Sequence, residues 1–183
     1  MAHERLIAEL DKRRERARRM GGPEKLAQRA KRGQLSAQQR LDALVDPGSF
    51  IELGLLGASA LESSPDETPR DAKVTGFGRI EGRDVGVVIN DFTVKGSSTS
   101  ATNSRKMGYI RRTCTERGLP FVHIGESTGA RLPDAMGSKG MGQLLGNDIT
   151  QFRRTRASSR WRSARRSTWK SWAAGACTPS RPA

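Results

Sequence analysis

The octapeptide Ile124-Gly125-Glu126-Ser127-Thr128-Gly129-Ala130-Arg131 puts two glycines, two hydroxyls and a carboxylate directly behind the apolar run Phe121-Val122-His123-Ile124, which reads as a buried strand. Two chemistries compete for such a stretch. Glycine lets backbone approach a ligand closely, and a strand that turns sharply into a helix leaves amide N–H groups without intrahelical partners, so the turn is a receptor for negative charge. Gly125-Glu126-Ser127-Thr128-Gly129 also has the G-x-S-x-G form of a serine nucleophile elbow. That elbow requires a histidine base, which follows the serine along an α/β-hydrolase chain. Here both histidines, His3 and His123, precede Ser127, and strand alternation can turn His123 away from the tip. Glu126 as a general base competes with the commoner fate of a glutamate beside a turn, solvated or capping a helix. The backbone reading therefore leads. The amides of Thr128 and Gly129, placed by this reading at a helix start, can stabilise charge developing on a carbonyl oxygen, each for about 3 kcal/mol of barrier lowering.

The elements that must position this turn are legible from periodicity. Leu6, Ile7, Leu10 and Ala17 predict a charged helix that Gly21-Gly22-Pro23 stops, and a second helix runs from Glu24 to about Lys31. Ser36-Ala37-Gln38-Gln39 has the form of a capping box and opens a third short helix, with Leu41, Leu44 and Val45 on one face, that Asp46-Pro47-Gly48 ends. Phe50 to Leu53 predicts a first strand, and the polar, proline-broken stretch 57–72 a loop. Val74–Ile80 and Val85–Asp91 are β-branched runs joined by Glu81-Gly82-Arg83-Asp84, which reads as a hairpin. The Gly/Ser-rich stretch "FTVKGSSTSATNS" follows, then a helix marked by Met107, Ile110 and Cys114 and ended near Gly118, then the strand that begins at Pro120. The order is strand, strand, loop, helix, strand, turn, helix: a layered α/β arrangement whose two loops can face one pocket.

The 183 residues suffice for one ordinary domain. Two cysteines, Cys114 and Cys177, with no CxxC spacing, argue against a disulfide framework or structural zinc and fit a reducing cytoplasm. The charged N-terminus lacks an apolar leader core and no long apolar run occurs, so the expected protein is soluble and unexported, with no membrane partner. The net charge of +14 suggests nucleic acid until it is divided along the chain. Residues 153 to 183 hold nine of the 33 basic residues and no acid, leaving 24 against 19 upstream, a balance of +5. The N-terminal basic run "DKRRERARR" is interleaved with Glu9, Asp11 and Glu15, as a solvated helix face would be.

Four segments, "LSAQQRLDALVDPGSFIELG", "KVTGFGRIEGRDVGVVINDFTV", "ERGLPFVHIGESTGARLPDAMGS" and "ITQFRR", resemble in order and spacing the carboxyltransferase (β) subunit of biotin-dependent acyl-CoA carboxylases, over about residues 4 to 158. The resemblance implies a crotonase-like α/β spiral of β-β-α units, here incomplete and preceded by a helical hairpin. It also implies transfer of CO2 from carboxybiotin, on a partner carrier protein, to the α-carbon of an acyl-CoA through an enolate held by backbone amides, without a metal. On this sequence the implied catalytic amides are those of Thr128 and Gly129, with Gly96, Ser97, Ser98, Gly125, Ala130 and Arg131 bordering the acyl-CoA. The family's pattern has a glycine where Thr128 stands, two glycines in the loop that here keeps only Gly96, and often a basic residue where Gln34 stands. Biotin carboxylase, the biotin carrier and homo-oligomers that join N-half to C-half are the implied partners. Three segments are expected: charged helices at 1–48, a truncated carboxyltransferase domain at 49–154, and a basic tail at 155–183. The tail contains no Val, Ile, Leu, Met or Phe after Thr155, so it is expected to be disordered and a frameshift product, and the chain alone to be inactive. A non-catalytic CoA-binding or interaction module and a basic nucleic-acid-binding protein are the alternatives.

Overall fold

Helices occupy the N-terminal segment as the spacing predicts: α1 (Ala2–Arg18), α2 (Pro23–Lys31) and α3 (Ala37–Leu44). Interleaved acids pair along α1, Arg13 with Glu9 at 3.0 Å and Arg14 with Asp11 at 3.2 Å, so much of its basic charge is locally balanced. The capping box of α3 is complete: the Gln39 amide donates to Ser36 Oγ at 3.2 Å, and the Ser36 amide donates to Gln39 Oε1 at 2.9 Å. The computed structural model describes residues 2–60 and 66–136. The remainder of the domain expected to reach residue 154, and the tail expected to be disordered, lie outside the described residues.

Strands β1 (Ile51–Glu52), β2 (Lys73–Ile80), β3 (Arg83–Asn90) and β4 (Phe121–Ile124) form one sheet in that order. β2 and β3 make the expected hairpin, in register from Lys73 opposite Asn90 to Ile80 opposite Arg83. Its turn is only Glu81-Gly82, both at positive φ (51° and 73°), the geometry that matches strand twist. Asp46, from the Asp-Pro-Gly stop after α3, holds that turn: its carboxylate accepts from the Glu81 amide at 2.9 Å and the Gly82 amide at 2.8 Å. β4 runs parallel to β3, and the required crossover is α4 (Ala101–Arg117), ended by Gly118 in the left-handed conformation.

Each face of the hairpin is covered. Ala37, Leu41 and Val45 pack with Val74, Val85, Val87 and Ile89 on one side, while Ile110 and Cys114 of α4 pack with Val88 on the other. At Gly86 a Cβ would sit 2.2 Å from Cys114 Sγ, so only glycine lets α4 approach this closely. β-β-α-β with helices on both faces is an α/β arrangement of the expected kind. Two local expectations differ. Phe121–Ile124 is half-exposed, because β4 lies at the edge of the sheet among the described residues. The helix expected directly after the glycine turn is α5 (Leu132–Ala135), four residues long and begun only at Leu132. No helix among the described residues is long and apolar enough to cross a membrane.

Candidate active site

The two loops singled out by the sequence lie against each other. The Thr99 amide donates to Gly129 O at 2.7 Å and the Arg131 amide to Thr99 O at 2.8 Å, a parallel bridge that keeps Arg131 extended and delays α5. The Thr128 amide donates to Gly96 O at 3.0 Å, and the Ser127 hydroxyl donates to Ser97 O at 3.0 Å. Gly96 has φ 59°, and a Cβ there would lie 2.6 Å from Thr128 Cγ2, so the threonine in the turn and the glycine in the loop fit as a pair.

These contacts decide which amides are free. Thr128 N–H is engaged by backbone. The Gly129 amide donates to Ser127 Oγ at 3.1 Å, a side-chain acceptor that a rotation removes. The Ala130 amide takes no part in the bridge and has no acceptor among the described residues. Ser127 has no histidine base: the His123 ring Nε2 lies 3.3 Å from Asn90 Oδ1, and partial burial pushes the imidazole below its ordinary range. Among the described residues the arrangement lacks the nucleophile–base contact of a hydrolase.

Glu126 is 26% exposed and held in an ion-pair cluster. Arg29 of α2 grips its carboxylate with two bonds of 2.9 Å, and Arg40 of α3 reaches it at 3.0 Å. The Arg29 hydrogen bonds, more than its charge or that of Arg40, hold the carboxyl below the usual range, so it stays ionised. Gly125 is exposed against the His123 ring, at 3.6 Å from a notional Cβ.

Beneath the loops lies a polar layer that sequence reasoning missed. Arg70, Asp71 and Ala72 all have positive φ (56°, 43° and 62°), a strained left-handed turn within the segment expected to be plain loop. Its surroundings fix it. Buried Asp71 accepts from Arg131 Nη1 at 2.6 Å, from the Asn103 amide at 3.0 Å and from the Ser100 hydroxyl, while Lys106 Nζ donates to the carbonyls of Arg70 and Lys73, both at 2.7 Å. Arg131 also meets Asp134 at 3.1 Å and donates to Ser98 Oγ at 3.2 Å and Ser98 O at 3.3 Å. Its side chain is 10% exposed, so its hydrogen bonds are spent inside the protein. Lys73 donates to Asn90 Oδ1 at 2.9 Å, and burial lowers its pKa to about 8. Asn90, the polar residue ending an apolar strand, was a findable signal. Among the described residues no group of three or more His, Cys, Asp or Glu is placed to hold a metal.

Residues 28–154 match the family model for the carboxyl transferase domain. The long-chain acyl-coenzyme A carboxylase beta4 subunit of Mycobacterium tuberculosis is 42% identical over 132 residues, 72% of this chain and 25% of that protein. The propionyl-CoA carboxylase beta chain of Roseobacter denitrificans is 36% identical over 148 residues, 79% of this chain and 29% of the relative. The chain thus spans about a quarter of the length of the curated relatives it matches. Among solved structures, the transcarboxylase 12S hexamer with methylmalonyl-coenzyme A superposes with a TM-score of 0.69 at 30% identity, over 80% of this chain and 30% of that one. A single-chain long-chain acyl-CoA carboxylase gives 0.64 at 28% identity, over 76% of this chain and 16% of that one. With its crotonase-like α/β fold, its paired loops and a family match across more than half its length, the chain belongs to the carboxyl transferase domain family.

Proposed function

We propose that this chain forms the acyl-CoA side of a biotin-dependent carboxyltransferase site. Backbone amides of the 127–131 turn would hold the thioester oxygen as negative charge develops on it during carboxylation of the α-carbon. The observation that carries this is the docking of the turn on the 96–99 loop, which leaves the Ala130 N–H without an acceptor among the described residues and the Gly129 N–H on a movable hydroxyl. Preorganised donors of this kind lower a barrier by about 3 kcal/mol each. On this reading Gly129 and Ala130 are the donors. Thr128, the first choice from sequence, fixes the turn to Gly96 and offers its own amide only by releasing that bond. Gly96, Ser97, Ser98 and Gly125 border the substrate, and Arg131 acts through Asp71 rather than by direct contact.

Carboxybiotin on a carrier protein would supply the carboxyl group, and none of the described residues is assigned to hold it. The partners are a biotin carboxylase and the biotin carrier subunit, with oligomers in which N-half and C-half share a site. A cytoplasmic location fits. The relatives' names support acyl-CoA as the substrate class.

The test is calorimetric titration of the full chain with propionyl-CoA, paired with an assay containing biotinylated carrier, bicarbonate, ATP and biotin carboxylase. Weak saturable binding without carboxylated product is expected, because only one of the two required oxyanion sites is assigned to these residues. Absence of binding, or turnover like that of an intact β subunit, overturns the proposal.

A further inference from the structure

Glu126 immediately precedes the turn that carries the candidate amides, and it is held from both ends. Its carboxylate lies in the fork of Arg29, which is 9% exposed, and against Arg40, which is 21% exposed. Its carbonyl accepts from Asn90 Nδ2 at 3.1 Å, at the end of β3. The two arginines come from α2 and α3, and they are themselves anchored. Arg29 stacks over Phe92 with its guanidinium carbon 5.8 Å from the ring centroid, and donates to Leu35 O at 3.4 Å. The connection before α2 docks on the same sheet end through the Gly21 amide, which donates to Thr93 Oγ1 at 2.9 Å.

The geometry assigns Glu126 a positioning role: through the Arg29–Glu126–Arg40 cluster the N-terminal helices set the placement of residues 127–131. Two planar, charge-assisted bonds fix the carboxylate in direction as well as distance, which one lysine contact would not do. The carbonyl bond to Asn90 prevents the residue from swinging on its side chain. With both ends held, the next residues leave Glu126 along one path, onto Gly96 and Ser97. The N-terminal helices are thereby part of the site's machinery, and any partner that displaces α2 or α3 releases the turn. The functional weight of this latch rests on the acyl-CoA reading above; its mechanical part does not.

Amide hydrogen exchange on the full chain separates the two. Glu126→Gln is expected to speed exchange of the bonded Thr128 and Arg131 amides about tenfold while the β2–β3 hairpin changes less than twofold. Arg40→Gln, which leaves the Arg29 fork, is expected to speed the turn about threefold, and Arg29→Lys to fall between the two. Global destabilisation would move turn and hairpin together. Unchanged exchange in the turn, or parallel acceleration of both, overturns the latch. Should Glu126→Gln not fold, Arg40→Gln decides alone by the same comparison. In parallel, propionyl-CoA affinity is expected to fall about tenfold in Glu126→Gln. If the wild-type chain binds no propionyl-CoA, the acyl-CoA reading fails while exchange still judges the latch.

Discussion

Asp71 and Arg131, 60 residues apart in sequence, meet at 2.6 Å with the carboxylate fully buried and the guanidinium almost so. One contact joins the strained turn before β2 to the end of the candidate amide turn. An uncompensated charge at either end would be costly, since removing one partner of a buried pair typically costs about 3–5 kcal/mol.

Asp71→Asn is therefore expected to lower unfolding free energy by about 3 kcal/mol in urea titration, the exact value depending on how the asparagine rebonds to Ser100 and Asn103. Combining it with Arg131→Gln should cost clearly less than the sum of the two single changes, because the pair is removed together. Additive losses would mean that the two side chains do not act as a unit.

Gly96 and Thr128 should be coupled with the same sign, here because a clash is relieved rather than an attraction lost. Gly96→Ala puts a methyl group into the threonine side chain at a positive φ, and about 2–3 kcal/mol of destabilisation is expected. In a Thr128→Gly background only the backbone part remains, about 1 kcal/mol. Thermal or chemical melting of the four proteins gives the cycle, and an equal cost in both backgrounds would refute the steric pairing.

Burial, set against the charge of Asp71, leaves Lys73 with a pKa of about 8, and Lys106 is lowered to about 8 for the same first reason. The unfolded chain keeps these protons to about pH 10.5. Between pH 8 and 10.5 the unfolded state thus binds more protons, and stability attributable to these groups rises with pH. Compared with a Lys73→Met variant, the wild-type chain should gain on the order of 1–2 kcal/mol more across that window. A flat difference would place the Lys73 pKa near its ordinary value.

Thr128→Pro removes the amide that docks the turn on Gly96 O, whereas Ser127→Ala removes the bond to Ser97 O but frees the Gly129 N–H. Propionyl-CoA affinity is expected to drop at least tenfold in the first and to stay within about threefold in the second, with circular dichroism confirming that both fold. Equal loss in both would favour a direct role for the Ser127 hydroxyl.

What could be read from sequence was local. The Ser36/Gln39 cap, the Glu81-Gly82 turn and the Gly118 stop each depend on residues within a few positions, and each is present. The juxtaposition of the two loops followed from element order. The partners that set the site did not, because Arg29 and Glu126 are 97 residues apart and Asp71 lies in a polar stretch with no periodicity. The Thr128 amide illustrates the same limit: reading the turn as a helix start left that amide free, and the bridge from Thr99 to Ala130 removed the helix start.

The tight seat of α4 at Gly86 gives the protein an internal reporter. Cys114 is 2% exposed and burial raises its thiol pKa, so a thiol reagent meets it only when the helix lifts from the sheet. In a chain carrying Cys177→Ser, the alkylation rate at Cys114 would act as a clock for that opening. Whether saturating propionyl-CoA slows the clock would measure, at a site with no role in binding, how far the ligand's hold on the two loops spreads into the helix that begins where they meet.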